Sequence, residues 1–399
     1  MSATIGPARF AERLARAQAA VAHSGSAAML VGVGPELEWL VGYPAVGHER
    51  LNLLVVPPAG PLTFVGPRLE AAAAEQAPGL AAGSVRLMTW EESDDPYLLV
   101  PPLLPDPDAG PEAVARPEAA ARPEAVAGRI LVSDGLRAAF LLGLQGVLGR
   151  ARWGLASALL APLRRSKDAD ELILMREAAE AADRVIEAIA AGPVVGRTEA
   201  EVAREVRERL VDEGHDSAEF AIVASGPNSA SPHHGPGERV IRGGEPLLLD
   251  IGGRRAGYCS DTTRTFWVAA EDGAAPPDGF VEIHRLTEEA QAAARATVRP
   301  GISFAALDAE ARDRISAGGH GRHFIHRLGH GIGLEVHEEP YVIGGNDDLA
   351  RVGDTFSIEP GIYLEGRYGV RIEDVVVVVP DGGQSLNTTE RSLRIIAGS

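Results

Sequence analysis

Cysteine is nearly absent from this sequence: Cys259 is the only one among 399 residues, so no disulfide can form within the chain. Such scarcity is typical of proteins that work in a reducing cytosol. We expect Cys259 to be a small residue inside a strand rather than a reactive thiol, because no activating base stands beside it. The sequence therefore predicts a cytoplasmic protein.

Long apolar runs are also missing, and so is an excess of basic residues. No segment reaches the length of a membrane-spanning helix, and residues 1–18 predict an amphipathic helix that lacks the apolar stretch of a signal peptide. The net charge is -18, from 56 acidic and 38 basic residues, and it repels polyanions and anionic lipid surfaces. We therefore expect neither nucleic acid nor a membrane as a partner.

The chain is too long for one ordinary core, and we expect two domains, residues 1–165 and 166–399. In the first, helices alternate with short strands; residues 27–44 predict a strand, a turn and a second strand, and residues 51–58 and 61–66 predict two more. Residues 105–128 are rich in proline, alanine and glutamate, which predicts an exposed loop.

The second half predicts long amphipathic helices followed by strands, so that the whole chain has an α/β (α+β) pattern. The predicted helices are residues 167–191, 198–214, 278–298 and 304–317, and the predicted strands include residues 220–224, 246–251, 355–359 and 370–379. A helix, helix, strand order occurs twice. This repetition indicates an internal pseudo-symmetry.

Five potential metal ligands lie in apolar or glycine-bounded phrases of the second half: Asp250, Asp261, His330, Glu359 and Glu373. Charges in such phrases are costly to bury unless they are compensated. Four carboxylates and one imidazole suit a pair of divalent cations. The two aspartates are 11 positions apart and the two glutamates 14, each across glycines, so two hairpins can bring four carboxylates together, with His330 supplied by a flexible glycine-flanked turn.

Histidines form a second signal. Five of the eleven lie between His320 and His337, and His233 and His234 are adjacent in a proline- and glycine-rich segment. A lone histidine is more often a core or surface group than a functional one. His233, His326 and His337 are the functional candidates, because they lie in glycine- and proline-rich segments near the ligands.

In this order, the phrases SGPNSASPHHG, LLLDIGG, SDTTRTF, HRLGHGIGLEVHE, IEPGIY and GVRIEDVVVV resemble the Xaa-Pro aminopeptidases and Xaa-Pro dipeptidases (prolidases), metallopeptidases of the pita-bread fold. The resemblance covers residues 166–399, and the first half resembles the creatinase-type N-terminal domain in architecture. It implies that the five residues above are the metal ligands. It also implies catalytic roles for His233, His337 and Glu359, and substrate binding by His326 and Arg371, whose guanidinium can hold a ligand's or a substrate's carboxylate.

The implied chemistry is hydrolysis of a small peptide with proline at its second position. Two divalent metal ions would activate a bridging hydroxide, and Glu359 would carry the proton to the leaving nitrogen. The oxygen-rich ligand set suits Mn²⁺, with Co²⁺, Fe²⁺ and Zn²⁺ as alternatives. A homodimer is expected from the resemblance alone.

Several alternatives stay open at this point. The same scaffold can serve hydrolases or lyases of other small substrates, metal-independent C–N hydrolases such as creatinase, and non-catalytic peptidase-like binding domains. The choice between a dipeptidase and an aminopeptidase depends on loops that the sequence does not place.

Overall fold

The computed structural model describes residues 4–43, 49–105 and 128–397. These residues form two compact units, one from Ile5 to Arg164 and the other from Arg165 onward. Apart from its two end residues, the predicted loop at 105–128 lies outside the described residues. Among the described residues, no helix is long and apolar enough to cross a membrane.

The N-terminal unit is built on a mixed sheet with the strand order β4-β3-β2-β1-β5-β6. Its strands are β1 (Ala28–Gly32), β2 (Leu53–Val56), β3 (Leu62–Pro67), β4 (Val85–Trp90), β5 (Arg129–Val132) and β6 (Arg152–Leu155). Its α-helices are α1 (Pro7–His23), α2 (Pro35–Val41), α3 (Ala71–Gln76), α4 (Pro78–Ala81), α5 (Ala138–Val147) and α6 (Ser157–Arg164).

The prediction of a second strand in residues 27–44 was wrong, because α2 lies there. Pro35 stands in the first turn of this helix, and Gly42 ends it in the left-handed conformation with φ of 72°. Leu37, Leu40 and Val41 are all buried, at the spacing of one helical face. That spacing, rather than the run of apolar letters, determines the local structure.

The second unit begins with a helix pair and repeats one later in the chain, as the sequence predicted. The helices are α7 (Ala169–Ala191), α8 (Glu199–Asp212), α9 (Asp278–Thr297) and α10 (Phe304–Ala317). Within α7 the buried face includes Leu174 and Met175, whereas Leu172 is only half-buried.

The strands of this unit form two larger sheets and one separate hairpin among the described residues. They are β7 (Ser217–Ser225), β8 (Pro246–Arg255), β9 (Tyr258–Cys259), β10 (Thr262–Val268), β11 (Gly329–Gly331), β12 (Glu338–Val342), β13 (Thr355–Ile358), β14 (Gly361–Leu364), β15 (Tyr368–Arg371), β16 (Asp374–Val379), β17 (Gly382–Ser385) and β18 (Ile395–Ile396). One sheet has the order β18-β10-β8-β7 with β9 paired to β8, the other has the order β12-β11-β13-β16-β17, and β14 pairs with β15.

Each helix pair of this unit covers its own strands. Apolar side chains of α7 and α8 share a core with those of β7, β8 and β10, and those of α9 and α10 share a core with β13 and β16. The mixed α/β architecture predicted from the sequence is thereby confirmed. Cys259 is buried at the end of β9, and burial raises the pKa of its thiol, in agreement with a structural role.

The start of α8 offers a test of local stability. Thr198 Oγ1 accepts a hydrogen bond from the Glu201 N–H at 3.1 Å, and the Glu201 carboxylate accepts one from the Thr198 N–H at 2.8 Å. Thr198→Ala removes half of this capping box and is expected to lower the free energy of unfolding by about 1 kcal/mol in urea denaturation. Glu208→Ala, an exposed change on the same helix, should stay within about 0.5 kcal/mol. Equal effects would contradict the prediction.

Candidate metal centre

The two aspartates come from one antiparallel strand pair, as the glycine-rich spacing predicted. Asp250 lies in β8 directly opposite Thr263 in β10, and Asp261 stands immediately before that strand. Because side chains alternate along a strand and opposed residues share a face, Asp261, Thr263 and Asp250 project to the same side of the sheet. The strand pair therefore presents two carboxylates and a hydroxyl together.

The two glutamates lie where a second strand pair passes from one sheet to another. Ile358 pairs with Asp374 in the β13–β16 ladder, and Gly361 pairs with Arg371 in the β14–β15 ladder. The predicted continuous strand over residues 370–379 is therefore wrong. Between the two ladders the Glu373 N–H donates to the Thr263 carbonyl at 3.1 Å, so the interruption joins this glutamate to the strand that follows Asp261.

His330 lies in β11, in the interior of a sheet between β12 and β13, and not in the flexible turn that the sequence predicted. The flanking glycines serve close packing instead. A Cβ on Gly329 would lie 1.9 Å from the Ser357 carbonyl oxygen, and one on Gly331 would lie 2.5 Å from the Glu339 backbone. Tight backbone contact therefore fixes where the imidazole stands.

The side chains converge on one buried point. Asp261, His330 and Glu373 offer ligand atoms that all lie within 4.8 Å of one another, so this buried group can hold a metal ion. His330 Nε2 lies 3.6 Å from Asp261 Oδ2 and 3.2 Å from Glu359 Oε1. The Nδ1 atom of the same ring faces the Gly331 carbonyl at 3.1 Å. A carbonyl can only accept, so Nδ1 carries a hydrogen and Nε2 is directed to the carboxylates, as a metal-binding histidine requires.

The carboxylates repel one another. Burial, followed by the charges of neighbouring carboxylates, raises the pKa of Asp261 and of Glu373 well above the ordinary values. Burial also raises the pKa of Asp250, although Arg371 opposes the shift. Burial acts in the same direction on Glu359, but the hydrogen bond with His330 outweighs it and lowers the pKa of Glu359 to about 2. Added positive charge would stabilise all four ionised groups.

Two oxygens of this cluster lack partners within the part of the chain that the structure describes. Asp250 Oδ1 and Glu373 Oε1 are buried without a hydrogen bond, although their sister oxygens accept from Arg371 and Thr263. A buried carboxylate oxygen without a partner is costly, and a bound cation would supply the missing partner. The donor set, four carboxylates and one imidazole nitrogen, also fits divalent cations.

Arg371 is placed against the carboxylate of Asp250, a candidate ligand. Its guanidinium donates to Asp250 Oδ2 at 2.5 Å, to the Tyr363 hydroxyl at 2.7 Å and to Thr263 Oγ1 at 3.2 Å. Neighbouring Tyr363 and Asp250 outweigh the effect of burial and raise the pKa of Arg371. Of the two carboxylates considered for this residue, a ligand's and a substrate's, the structure shows a hydrogen bond to that of Asp250, a candidate ligand.

Sequence reasoning missed Thr263 and Tyr363. Thr263 Oγ1 donates to Glu373 Oε2 at 2.6 Å, and the Tyr363 hydroxyl joins Arg371 to His326, whose Nε2 lies 2.9 Å away. The signals were present but weak. Thr263 stands two positions after Asp261 on the same strand face, and Tyr363 closes the phrase IEPGIY.

The remaining candidate histidines lie around the cluster at different depths. The His337 ring centroid is 4.1 Å from that of His330, and burial, followed by the neighbouring His330, lowers the pKa of His337 to about 4. Burial also lowers the pKa of His326. His233 is exposed and is close enough to contribute to the lowered pKa of His337.

Comparison with known proteins identifies families for both parts of the chain. Residues 173–380 match the family described as metallopeptidase family M24, and residues 13–166 match the creatinase/prolidase N-terminal domain. The chain is 40% identical over 388 residues to the probable dipeptidase PepE of Mycobacterium tuberculosis, covering 97% of this chain and 96% of that protein. It is 39% identical over 242 residues to the Xaa-Pro dipeptidase of Lactobacillus delbrueckii subsp. lactis, covering 60% of this chain and 64% of that protein.

A solved structure extends the similarity to the whole fold. The dipeptidase PepE of Mycobacterium ulcerans superimposes with a TM-score of 0.87 at 39% identity, covering 99% of this chain and 100% of the other. The predicted arrangement, a creatinase-type domain followed by a pita-bread metallopeptidase domain, is thereby confirmed.

Proposed function

Because this chain belongs to metallopeptidase family M24 and is a peptidase, we propose that it hydrolyses Xaa-Pro peptide bonds in small peptides, with two divalent metal ions as cofactors. The observation that carries the proposal is the buried convergence of ligand-type side chains, in which Asp250 and Glu373 each keep one oxygen without a partner among the described residues. A relative named Xaa-Pro dipeptidase supports the choice of substrate.

The five residues Asp250, Asp261, His330, Glu359 and Glu373 would hold the metal ions. Bound there, the ions would lower the pKa of a coordinated water and polarise the scissile carbonyl. Mn²⁺ is our first choice for an oxygen-rich site, with Co²⁺, Fe²⁺ and Zn²⁺ as the alternatives. We also propose a homodimer, which light scattering of the purified protein would test.

The protein groups supply positioning and proton transfer in this proposal. The Glu359 carboxylate accepts the proton of the nucleophilic water and returns it to the leaving nitrogen. His233 and His337 hold the peptide carbonyl as negative charge develops on it. His326 borders the proline side of the substrate, and Arg371 holds Asp250 in place, so its contribution to substrate binding is indirect.

The names of the relatives favour a dipeptidase over an aminopeptidase, and one of them raises a second candidate. The relative that spans 97% of this chain is named a dipeptidase, with no reference to proline. A dipeptidase without a proline requirement is therefore the alternative. Proline has no N–H and a fixed ring, so a pocket that recognises it would discriminate strongly against alanine at the same position.

Metal-stripped protein is expected to hydrolyse no peptide, and added Mn²⁺ is expected to restore turnover of a Xaa-Pro dipeptide. Three peptides separate the candidates: a Xaa-Pro dipeptide, a Xaa-Pro-Yaa tripeptide and a Xaa-Ala dipeptide. We expect the first to have the highest kcat/KM. A preference for the tripeptide would indicate an aminopeptidase, and equal turnover of proline and alanine dipeptides would indicate the second candidate. Turnover that survives metal removal would contradict the metal-dependent mechanism.

A further inference from the structure

A buried carboxylate outside the metal cluster has no role in the chemistry proposed above. Glu199 is the first residue of α8, and its side chain is fully buried. Its oxygens accept hydrogen bonds from the Ser225 N–H at 2.7 Å, from Ser225 Oγ at 2.8 Å and from Asn228 Nδ2 at 3.1 Å. They also face His234 Nε2 at 2.7 Å. One carboxylate therefore organises donors that are up to nine positions apart in the chain.

These donors all belong to one connection, residues 225–234, which we call the His233 segment. It leaves the end of β7, passes through a short 3-10 helix at Gly226–Ala230 and ends at His234. A second set of contacts ties it to the strands of the metal centre: the Gly369 N–H donates to Ser229 Oγ at 2.9 Å, and Arg371 Nη2 donates to the Pro232 carbonyl at 3.3 Å.

His233 stands between the two anchors. Arg371 holds the carbonyl of the residue before it, and Glu199 holds the imidazole of the residue after it. The His233 ring itself is exposed and makes no hydrogen bond to the described residues. The contacts of Pro232 and His234 therefore set the position of His233, since no side-chain partner among the described residues holds its ring.

From this arrangement we propose that Glu199, acting through His234, is a positioning residue that directs His233 toward the metal centre. The inference rests on the proposed function, in which His233 touches the substrate carbonyl. Burial opposes ionisation of Glu199, but the hydrogen bonds from Ser225 and His234 outweigh it and keep the pKa of Glu199 below its ordinary value. The carboxylate is thus ionised at neutral pH and able to accept from all its donors.

Glu199→Gln is the first test, because it keeps the volume of the side chain. Whichever way the amide turns, its NH2 group faces a donor that the carboxylate satisfied. We expect kcat for a Xaa-Pro dipeptide to fall about 10- to 100-fold, the scale of a displaced catalytic group. KM and the melting-temperature increase on adding Mn²⁺ should remain those of the wild type. Glu201→Gln, on the same helical turn but exposed, is the matched control and should leave kcat unchanged.

Two further variants keep the test decisive if Glu199→Gln does not fold. His234→Ala removes the link, whereas His234→Gln retains an N–H donor near the position of Nε2. We expect a fall in kcat for the first and recovery for the second. In the background of His233→Ala, neither Glu199→Gln nor His234→Ala should lower kcat further. Additive losses would show that Glu199 acts independently of His233 and would overturn the inference.

Hydrogen–deuterium exchange of residues 225–234 provides a readout that does not depend on activity. Exchange in this segment should rise in Glu199→Gln and His234→Ala, while the strands of the metal centre remain protected. If the wild type fails to cleave any Xaa-Pro peptide, the proposed function is wrong, and the exchange measurement still tests the positioning. Unchanged exchange in both variants would overturn the inference even in an active enzyme.

Discussion

Glu373→Gln is expected to lower kcat/KM by more than the roughly 10- to 100-fold that loss of an outer-shell partner of a metal ligand costs. The same variant is expected to melt, without metal, at a temperature no lower than the wild type. Burial and the neighbouring carboxylates disfavour negative charge at Glu373, and a glutamine of the same shape carries none. Its amide oxygen can still accept from Thr263 Oγ1.

The measurement compares melting temperatures with and without Mn²⁺. A ligand that binds only the folded protein stabilises it in proportion to its affinity and concentration, so the increase on adding Mn²⁺ should be much smaller for Glu373→Gln than for the wild type. Glu310→Gln, which removes a carboxylate paired with Arg314 on α10, is the control and should change neither value. A full Mn²⁺ response in Glu373→Gln would show that this residue is not a ligand.

Arg371→Met is expected to lower the free energy of unfolding of the metal-free protein by about 3–5 kcal/mol, the cost of removing one partner from a buried ion pair. The Arg371 side chain is 3% exposed and that of Asp250 is 11% exposed, so water cannot replace the guanidinium. Arg371→Lys keeps the charge but loses the planar fork that reaches Asp250, Tyr363 and Thr263 together. Its loss should be intermediate.

Chemical denaturation of the metal-free variants measures this effect, and a double-mutant cycle assigns it. Asp250→Asn removes the charge that Arg371→Met leaves alone, so the double variant should recover a large part of the loss. Arg285→Met is the control. Arg285 is exposed and pairs with Glu289 one turn along α9, and such a pair contributes about 0–1 kcal/mol. A loss for Arg371→Met no larger than the control's would contradict the buried-pair account.

Local patterns predicted most elements of the second unit but erred where neighbouring chain segments set the conformation. The helices α9 and α10 lie where their apolar spacing placed them. His330 was expected in a flexible turn, because glycines on both sides suggest freedom. In the fold the absence of a side chain at those glycines lets the Ser357 and Glu339 backbones pack closely against them. A sequence pattern cannot distinguish a glycine that gives conformational freedom from one that allows such close packing.

In the candidate site, too, local sequence patterns predicted some features, and contacts between distant segments set the others. The phrases around Asp250, Asp261, Glu359 and Glu373 mark them as charges that a fold must compensate, and the structure brings them to one point. Thr263 and Tyr363 carried only a weak signal in the sequence, and Glu199 carried none. Arg371 is separated from Asp250 by 121 positions, and no local pattern reports a pairing at that distance.

By itself, the sequence determined the kinds of group available for metal binding, the helices that cover each sheet and the family to which the chain belongs. These depend on residue type and on short periodic spacing, both of which are properties of the chain alone. The tertiary structure determined which oxygens have partners, where Arg371 donates and how His233 is held between two anchors. Those features arise from contacts between distant segments, because burial and hydrogen bonding are settled only when the segments pack together.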